Sequence, residues 1–222
     1  MCCILKDLFM MKFFLASHAI DPQCLPKLED FIGGKLSNKS IAYIPTARHG
    51  ERSDGSLGTS ETYKYLSSIC PKLKVIELED IRTKDVLPEF NEMDIIWFAG
   101  GYAGYLLYWI RRAQLDKALP DLLNKGAIYV GSSAGAMVCS KTQYSAEFLG
   151  DEELGASLIP VLGYLDFEIR PHYTDDMYED IKAKWQKSGK GELCLLKDGE
   201  AITIVDGKVE ILGEKRFITA GK

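Results

Sequence analysis

The chain has 222 residues, 46 % of them hydrophobic and 27 % charged, with a formal net charge of −5. Those values are ordinary for a soluble globular protein and suit a single α/β domain with a large core. The acidic balance speaks against nucleic acid as a partner, which favours a basic surface, and no apolar stretch is long enough to enter and span a membrane.

The N-terminal stretch MCCILKDLFMMKFFLASHA superficially resembles a signal peptide. Lys6, Asp7 and Lys12 break it into pieces shorter than the roughly 7–15 continuous apolar residues a signal needs. KFFLAS therefore reads as the first buried strand, with one α/β domain over 11–222 and residues 1–10 as an N-terminal extension. The cysteines Cys2, Cys3, Cys24, Cys70, Cys139 and Cys194 show no CxxC or Cys/His ligand spacing. They read as small buried hydrophobes in a reducing compartment, which favours the cytoplasm and implies neither a metal nor a cofactor.

Short apolar runs then alternate with amphipathic ones. FFLA (13–16), IAYI (41–44), KVIEL (74–78), DIIWFAG (94–100) and AIYVGS (127–132) are rich in β-formers and predict buried strands. PKLEDFIGGKL predicts a helix opening at Pro26, and TSETYKYLSSI one capped by Ser60 or Thr59. YLLYWIRRAQLDKALPDLLNKG predicts a long helical stretch interrupted at Pro120 and stopped by Gly126. This alternation implies right-handed crossovers and a mostly parallel sheet. In LCLLKDGEAITIVDGKVEILG, two Asp-Gly pairs flanked by β-formers predict antiparallel hairpin structure at the C-terminal edge of that sheet.

Gly131-Ser132-Ser133-Ala134-Gly135 fits G-x-S-x-G between a predicted strand and a predicted helix, the context in which that motif exposes a nucleophile on a strained turn. Packing and phosphate binding are the competing uses of such a turn. A serine hydroxyl needs a base at neutral pH, and the histidines are His18, His49 and His172. His172 follows the run LDFEIR, is stiffened by Pro171, and lies after the serine in Ser…acid…His order. Between them, QYSAEFLGDEELG offers Glu147, Asp151, Glu152 and Glu153, most of which belong on a solvated surface. Gly100, Gly101 and Gly104 lack the G-x-G-x-x-G spacing of a dinucleotide loop. They also suit an oxyanion loop facing the serine turn, where glycine permits close backbone approach.

IIWFAGGYAGYLL, YVGSSAGAMV and DFEIRPHYTDD, in this order, resemble the dipeptidase E / cyanophycinase family of serine peptidases, and IAYIPTA resembles its second strand. The resemblance runs from about Met11 to Tyr173. It implies a flavodoxin-like three-layer α/β sandwich related to class I glutamine amidotransferases. It also implies hydrolysis of short peptides through an acyl-enzyme, with Ser133 as nucleophile, His172 as base and the N–H groups of Gly101 and Ala134 as oxyanion hole. Gly100 and Tyr102 are then expected at the substrate. Glu147 fits the acid's spacing from the serine side and Asp151 from the histidine side; Glu147 is the preferred member. A small peptide is the implied partner, and the oligomeric state stays open, a homodimer included.

The chain departs from the family pattern in two places. Tyr102-Ala103 replaces an Asn-Thr pair in the glycine loop, and TDDMYEDIKAK follows the Pro-His segment with acids and no Arg. An acidic rim would repel an aspartyl side chain, so strict N-terminal-Asp preference is not expected to carry over. Two other functions share these motifs: a catalytically silent binding protein on the same fold, and an esterase, for which the Ser133-to-His172 spacing is short.

Overall fold

The structure, a computed structural model, describes residues 11–51, 56–81, 85–148 and 155–221. Its first strand, β1 (Lys12–Ala16), is buried from Phe13 onward. α1 (Leu25–Phe31), β2 (Ile41–Ile44), the short α2 (Thr46–His49), α3 (Glu61–Ile69), β3 (Leu73–Val75) and β4 (Ile95–Phe98) follow. Next come α4 (Ala103–Arg112), α5 (Leu115–Asn124), β5 (Ile128–Ser132), α6 (Ala134–Met137), α7 (Tyr144–Phe148), β6 (Glu168–Arg170) and α8 (Tyr178–Ser188). β7 (Glu192–Leu195), β8 (Ala201–Val205), β9 (Lys208–Leu212) and β10 (Phe217–Thr219) complete the chain.

A seven-stranded sheet has the order β3-β2-β4-β5-β1-β8-β9. The pairings from β3 to β1 are parallel, and β8 and β9 join antiparallel. Alternation along each strand explains why the runs read as continuously apolar. Phe13, Leu15, Ile96 and Phe98 face the cluster that includes Leu106, Leu119 and Met137 of α4–α6. Phe14, Ala16, Ile95 and Trp97 face Leu28 of α1 and Leu66 of α3. With helices on both faces, a parallel strand needs no polar side.

Most predicted elements have their counterparts, with three differences. The long helical stretch breaks at Gln114, which takes a left-handed φ of 58° between α4 and α5, while Pro120 lies inside α5. The predicted strand 74–78 is only Leu73–Val75, an edge strand. The C-terminal region divides between two sheets. Asp206-Gly207, both at positive φ, closes the predicted β8–β9 hairpin as a tight two-residue turn. Asp198-Gly199 closes no hairpin. It links β7, which lies with β6 and β10 in a separate three-stranded sheet covered by Trp185 and Ile181 of α8, to β8 of the large sheet.

The buried thiols are as the sequence reading expects. Cys24, Cys70, Cys139 and Cys194 are free and buried, and burial pushes the Cys139 thiol up to about 12. Cys2 and Cys3 lie outside the described residues. No helix among the described residues is long and apolar enough to cross a membrane.

Candidate active site

Four parallel strands, β2, β4, β5 and β1, end at one edge of the sheet, the edge where α/β proteins build their sites. The residues just past these ends are Ala47 and Arg48, Gly100 and Gly101, Ser133, and Ser17 and His18. β8 runs antiparallel to β1, with Ala16 opposite both Ala201 of β8 and Ser132 of β5. The turn before β8 therefore arrives at the same edge and carries Asp198 with it.

Ser133 stands between β5 and α6 at φ 51° and ψ −113°. That conformation costs about 1–3 kcal/mol for a non-glycine residue and persists only where its surroundings enforce it. The flanking glycines show how. A Cβ on Gly131 would overlap the carbonyl of Gly135, and a Cβ on Gly135 would overlap the carbonyl of Phe98. Ser133 N–H donates to Ala16 O at 3.0 Å and Ser17 O at 3.1 Å, which pins the turn to the end of β1. Ser132 is buried, and its Oγ accepts from Ala19 N–H at 3.2 Å.

The structure brings His172 to Ser133. His172 Nε2 lies 3.0 Å from Ser133 Oγ, and Nδ1 lies 2.8 Å from Asp198 Oδ1. His172 holds a left-handed φ of 55°, just past Pro171 at the end of β6. Burial pushes the Asp198 carboxyl up, but the Ser17 hydroxyl and the neighbouring His172 and His18 outweigh it and hold it below its ordinary value. That carboxylate is ionised at neutral pH and faces the ring nitrogen opposite the serine.

The carboxylate beside His172 is Asp198 and not Glu147. Glu147 on α7 accepts from the N–H and hydroxyl of Ser157, closing the 155–158 turn. Asp151, Glu152 and Glu153 lie outside the described residues. The Ser…acid…His order places the acid between Ser133 and His172 in the chain, and Asp198 comes after both. It stood in an Asp-Gly pair that reads locally as a hairpin turn. The available signal was an acid one turn ahead of a strand antiparallel to β1, and reading it requires knowing which strand lies beside β1.

Ser133 and His172 open on a cavity of about 630 Å³. Gly100 and Tyr102 both line it, and a Cβ on Gly100 would meet Ser133 Cβ at 3.2 Å. Gly101 takes φ +133°, and a Cβ there would overlap the backbone of Ala47. Tyr102 N–H donates to Ala47 O at 2.8 Å, so α2 holds the glycine loop against the serine turn. Ala134 opens α6 next to Ser133. Arg48 and Arg170 bring positive charge to the wall, and Glu51 and Glu61 negative charge. Asp175, part of the acidic run after His172, faces a different cavity and pairs with Lys197 at 2.6 Å. Among the described residues no group of three or more His, Cys, Asp or Glu side chains is placed to hold a metal ion.

Residues 14–212 match the model of peptidase family S51. The chain belongs to this family. It is a peptidase, of a family generally of the serine type. Among its relatives, an uncharacterized peptidase of Listeria monocytogenes is 25 % identical over 199 residues, covering 88 % of this chain and 95 % of its own. A peptidase E of Salmonella paratyphi A is 23 % identical over 218 residues, covering 91 % of this chain and 90 % of its own. The crystal structure of a candidate peptidase E from Listeria monocytogenes EGD-e superposes with a TM-score of 0.69 at 24 % identity, covering 93 % of this S51 peptidase and 99 % of that chain. A peptidase from an acI-B1 actinobacterium gives 0.59 at 17 % identity, covering 99 % and 98 %. At these identities the two structures speak to the fold alone.

Proposed function

We propose that this S51 peptidase hydrolyses short peptides through Ser133, His172 and Asp198. The observation that carries the reading is the relay of 3.0 Å and 2.8 Å across the His172 ring, at the mouth of a cavity. In the proposed reaction His172 Nε2 takes the Ser133 proton as Oγ attacks the scissile carbonyl. Asp198 holds the opposite Nδ1–H and offsets the charge of the imidazolium. The N–H groups of Gly101 and Ala134 receive the developing oxyanion. The imidazolium then returns its proton to the leaving amine, and the amine departs as the acyl-enzyme forms. Water, deprotonated by the same ring, releases the acid and restores Ser133.

Ser133→Ala removes the attacking oxygen and leaves the turn's packing in place. It is expected to lower kcat by at least about 10³-fold with an unchanged melting temperature. A fluorophosphonate probe should label the wild type and not the variant. Hydrolysis at the wild-type rate by Ser133→Ala would overturn the reading.

The cavity's charge distribution favours a free short peptide, which carries an ammonium and a carboxylate a few bonds apart. Arg48 and Arg170 supply the cationic wall and Glu51 and Glu61 the anionic one, so a zwitterion meets both signs. Peptides blocked by N-acetylation or C-terminal amidation are expected to be poorer substrates than their free counterparts, with the difference in KM. Equal KM values for free and blocked peptides would remove this assignment. Asp175 faces elsewhere, which weakens the electrostatic argument against an acidic side chain in the cavity.

The reading extends to the architecture. The parallel order β3-β2-β4-β5-β1 is the flavodoxin-like order with β1 in the last position, which supports a flavodoxin-like sandwich akin to class I glutamine amidotransferases.

A further inference from the structure

Ser17 follows β1, is fully buried, and is absent from the relay just described. Its position is nonetheless shared by every part of that relay. Its Oγ accepts the His172 backbone N–H at 2.8 Å and donates to Asp198 Oδ1 at 2.6 Å. Its carbonyl accepts from Ser133 N–H at 3.1 Å, and its own N–H donates to Glu200 O at 3.2 Å. A hydroxyl has one proton. Because the His172 amide already donates to this oxygen, that proton is committed to Asp198, on the same carboxylate oxygen that faces His172 Nδ1. One atom thus fixes the backbone of the histidine and the rotation of the carboxylate at once. His172 sits at positive φ and Asp198 is on a turn between two sheets. Neither is held in place by a regular element of its own.

We infer that Ser17 is a positioning residue for this site: it sets the distance and angle between Asp198 and His172 and ties both to the Ser133 turn. The inference rests on the proposed relay and adds a fourth member that touches no substrate. The same carboxylate oxygen carries both bonds, so losing the hydroxyl frees Asp198 to rotate and leaves the His172 amide without its acceptor. Misplacement of a catalytic pair on the ångström scale costs up to about 10²-fold in rate.

The test compares Ser17→Ala, Asp198→Ala, the double variant and Ser133→Ala on one short peptide. Ser17→Ala is expected to lose about 10- to 100-fold in kcat with little change in KM. In the Asp198→Ala background the same change should cost much less, because the group it positions is already gone. The low-field resonance of the His172 Nδ1 proton should move upfield in Ser17→Ala. Where Ser17→Ala fails to fold, Ser17→Cys, close in size with a weak donor, supplies the comparison and is expected to fall between wild type and Asp198→Ala. A Ser17 variant with wild-type kcat and an unmoved resonance would overturn the inference. So would a loss fully additive with Asp198→Ala, which marks a general structural role. If Ser133→Ala itself retains activity, the relay fails first, and that outcome is distinct from either.

Discussion

At the residue scale, Asp198 beside His172 and the expected Glu147 make opposite predictions. Asp198 is bonded to the imidazole nitrogen that faces away from Ser133, and its exchange for an amide removes the charge and favours the wrong ring tautomer. Asp198→Asn is expected to lower kcat by about 10²- to 10⁴-fold while the protein stays folded. Glu147 serves the 155–158 turn through Ser157, so Glu147→Gln is expected to keep near-wild-type activity and lose only thermal stability. Steady-state kinetics on the two variants decides between them, and a collapse of activity in Glu147→Gln alone would return the orienting role to that residue. Glu168 is a third acid with a settled task. It is buried and accepts the N–H groups of Tyr144 at 3.2 Å and Ser145 at 2.7 Å, capping the start of α7.

At the element scale, the site depends on two connections that carry no chemistry. The first is the contact of the glycine loop with α2. Gly101 is at φ +133° against the backbone of Ala47, so Gly101→Ala adds strain of about 1–3 kcal/mol and pushes the loop off α2. The expected result is a lower melting temperature and a kcat reduced by about 10²-fold, read by thermal unfolding and initial rates. Wild-type kcat in this variant would show that the loop's N–H takes no part. The second connection is the turn between β7 and β8. Glu200 accepts from Lys197 N–H at 2.9 Å, Glu214 N–H at 3.1 Å and Arg216 Nη1 at 2.7 Å, which clamps the turn that presents Asp198.

For the whole molecule, that clamp sets a pH dependence of stability. The Glu200 and Arg216 side chains are only 13 % and 14 % exposed. Burial pushes the Glu200 carboxyl up, but the Arg216 guanidinium and the Lys197 and Glu214 amides outweigh it, so the carboxyl is held below its ordinary value. A carboxylate with a lowered folded-state value contributes stability above its unfolded value, near pH 4 (about 4.3 for Glu), and loses it as pH falls through the folded one. The wild-type melting temperature should therefore hold from neutral pH to about pH 5 and decline below about pH 4. Arg216→Ala leaves the buried carboxylate with only the Lys197 and Glu214 amides at pH 7; removing one partner of a buried pair typically costs up to about 3–5 kcal/mol, and less once Glu200 is protonated. Thermal unfolding at pH 7 and pH 4 reads the difference. An equal loss at both values would mean that the pair contributes through packing rather than charge.

The sequence by itself determined the elements whose signals are local. Doubly apolar runs such as IIWF predict strands buried on both faces, and G-x-S-x-G predicts a strained strand-to-helix turn because only glycine fits beside the Gly135 and Phe98 carbonyls. The Pro-His segment stood out by its place after an apolar run and by the family resemblance, and the glycine loop by its place at the end of a predicted strand. Tertiary structure decided the rest. Which acid reaches His172 depends on β8 entering the sheet antiparallel beside β1, an outcome of long-range pairing that no local pattern encodes. The role of Ser17 is equally non-local, since its hydroxyl joins residues 155 and 181 positions away in the chain. Side-chain chemistry is written residue by residue, but the distance between two side chains is set by how the sheet is assembled.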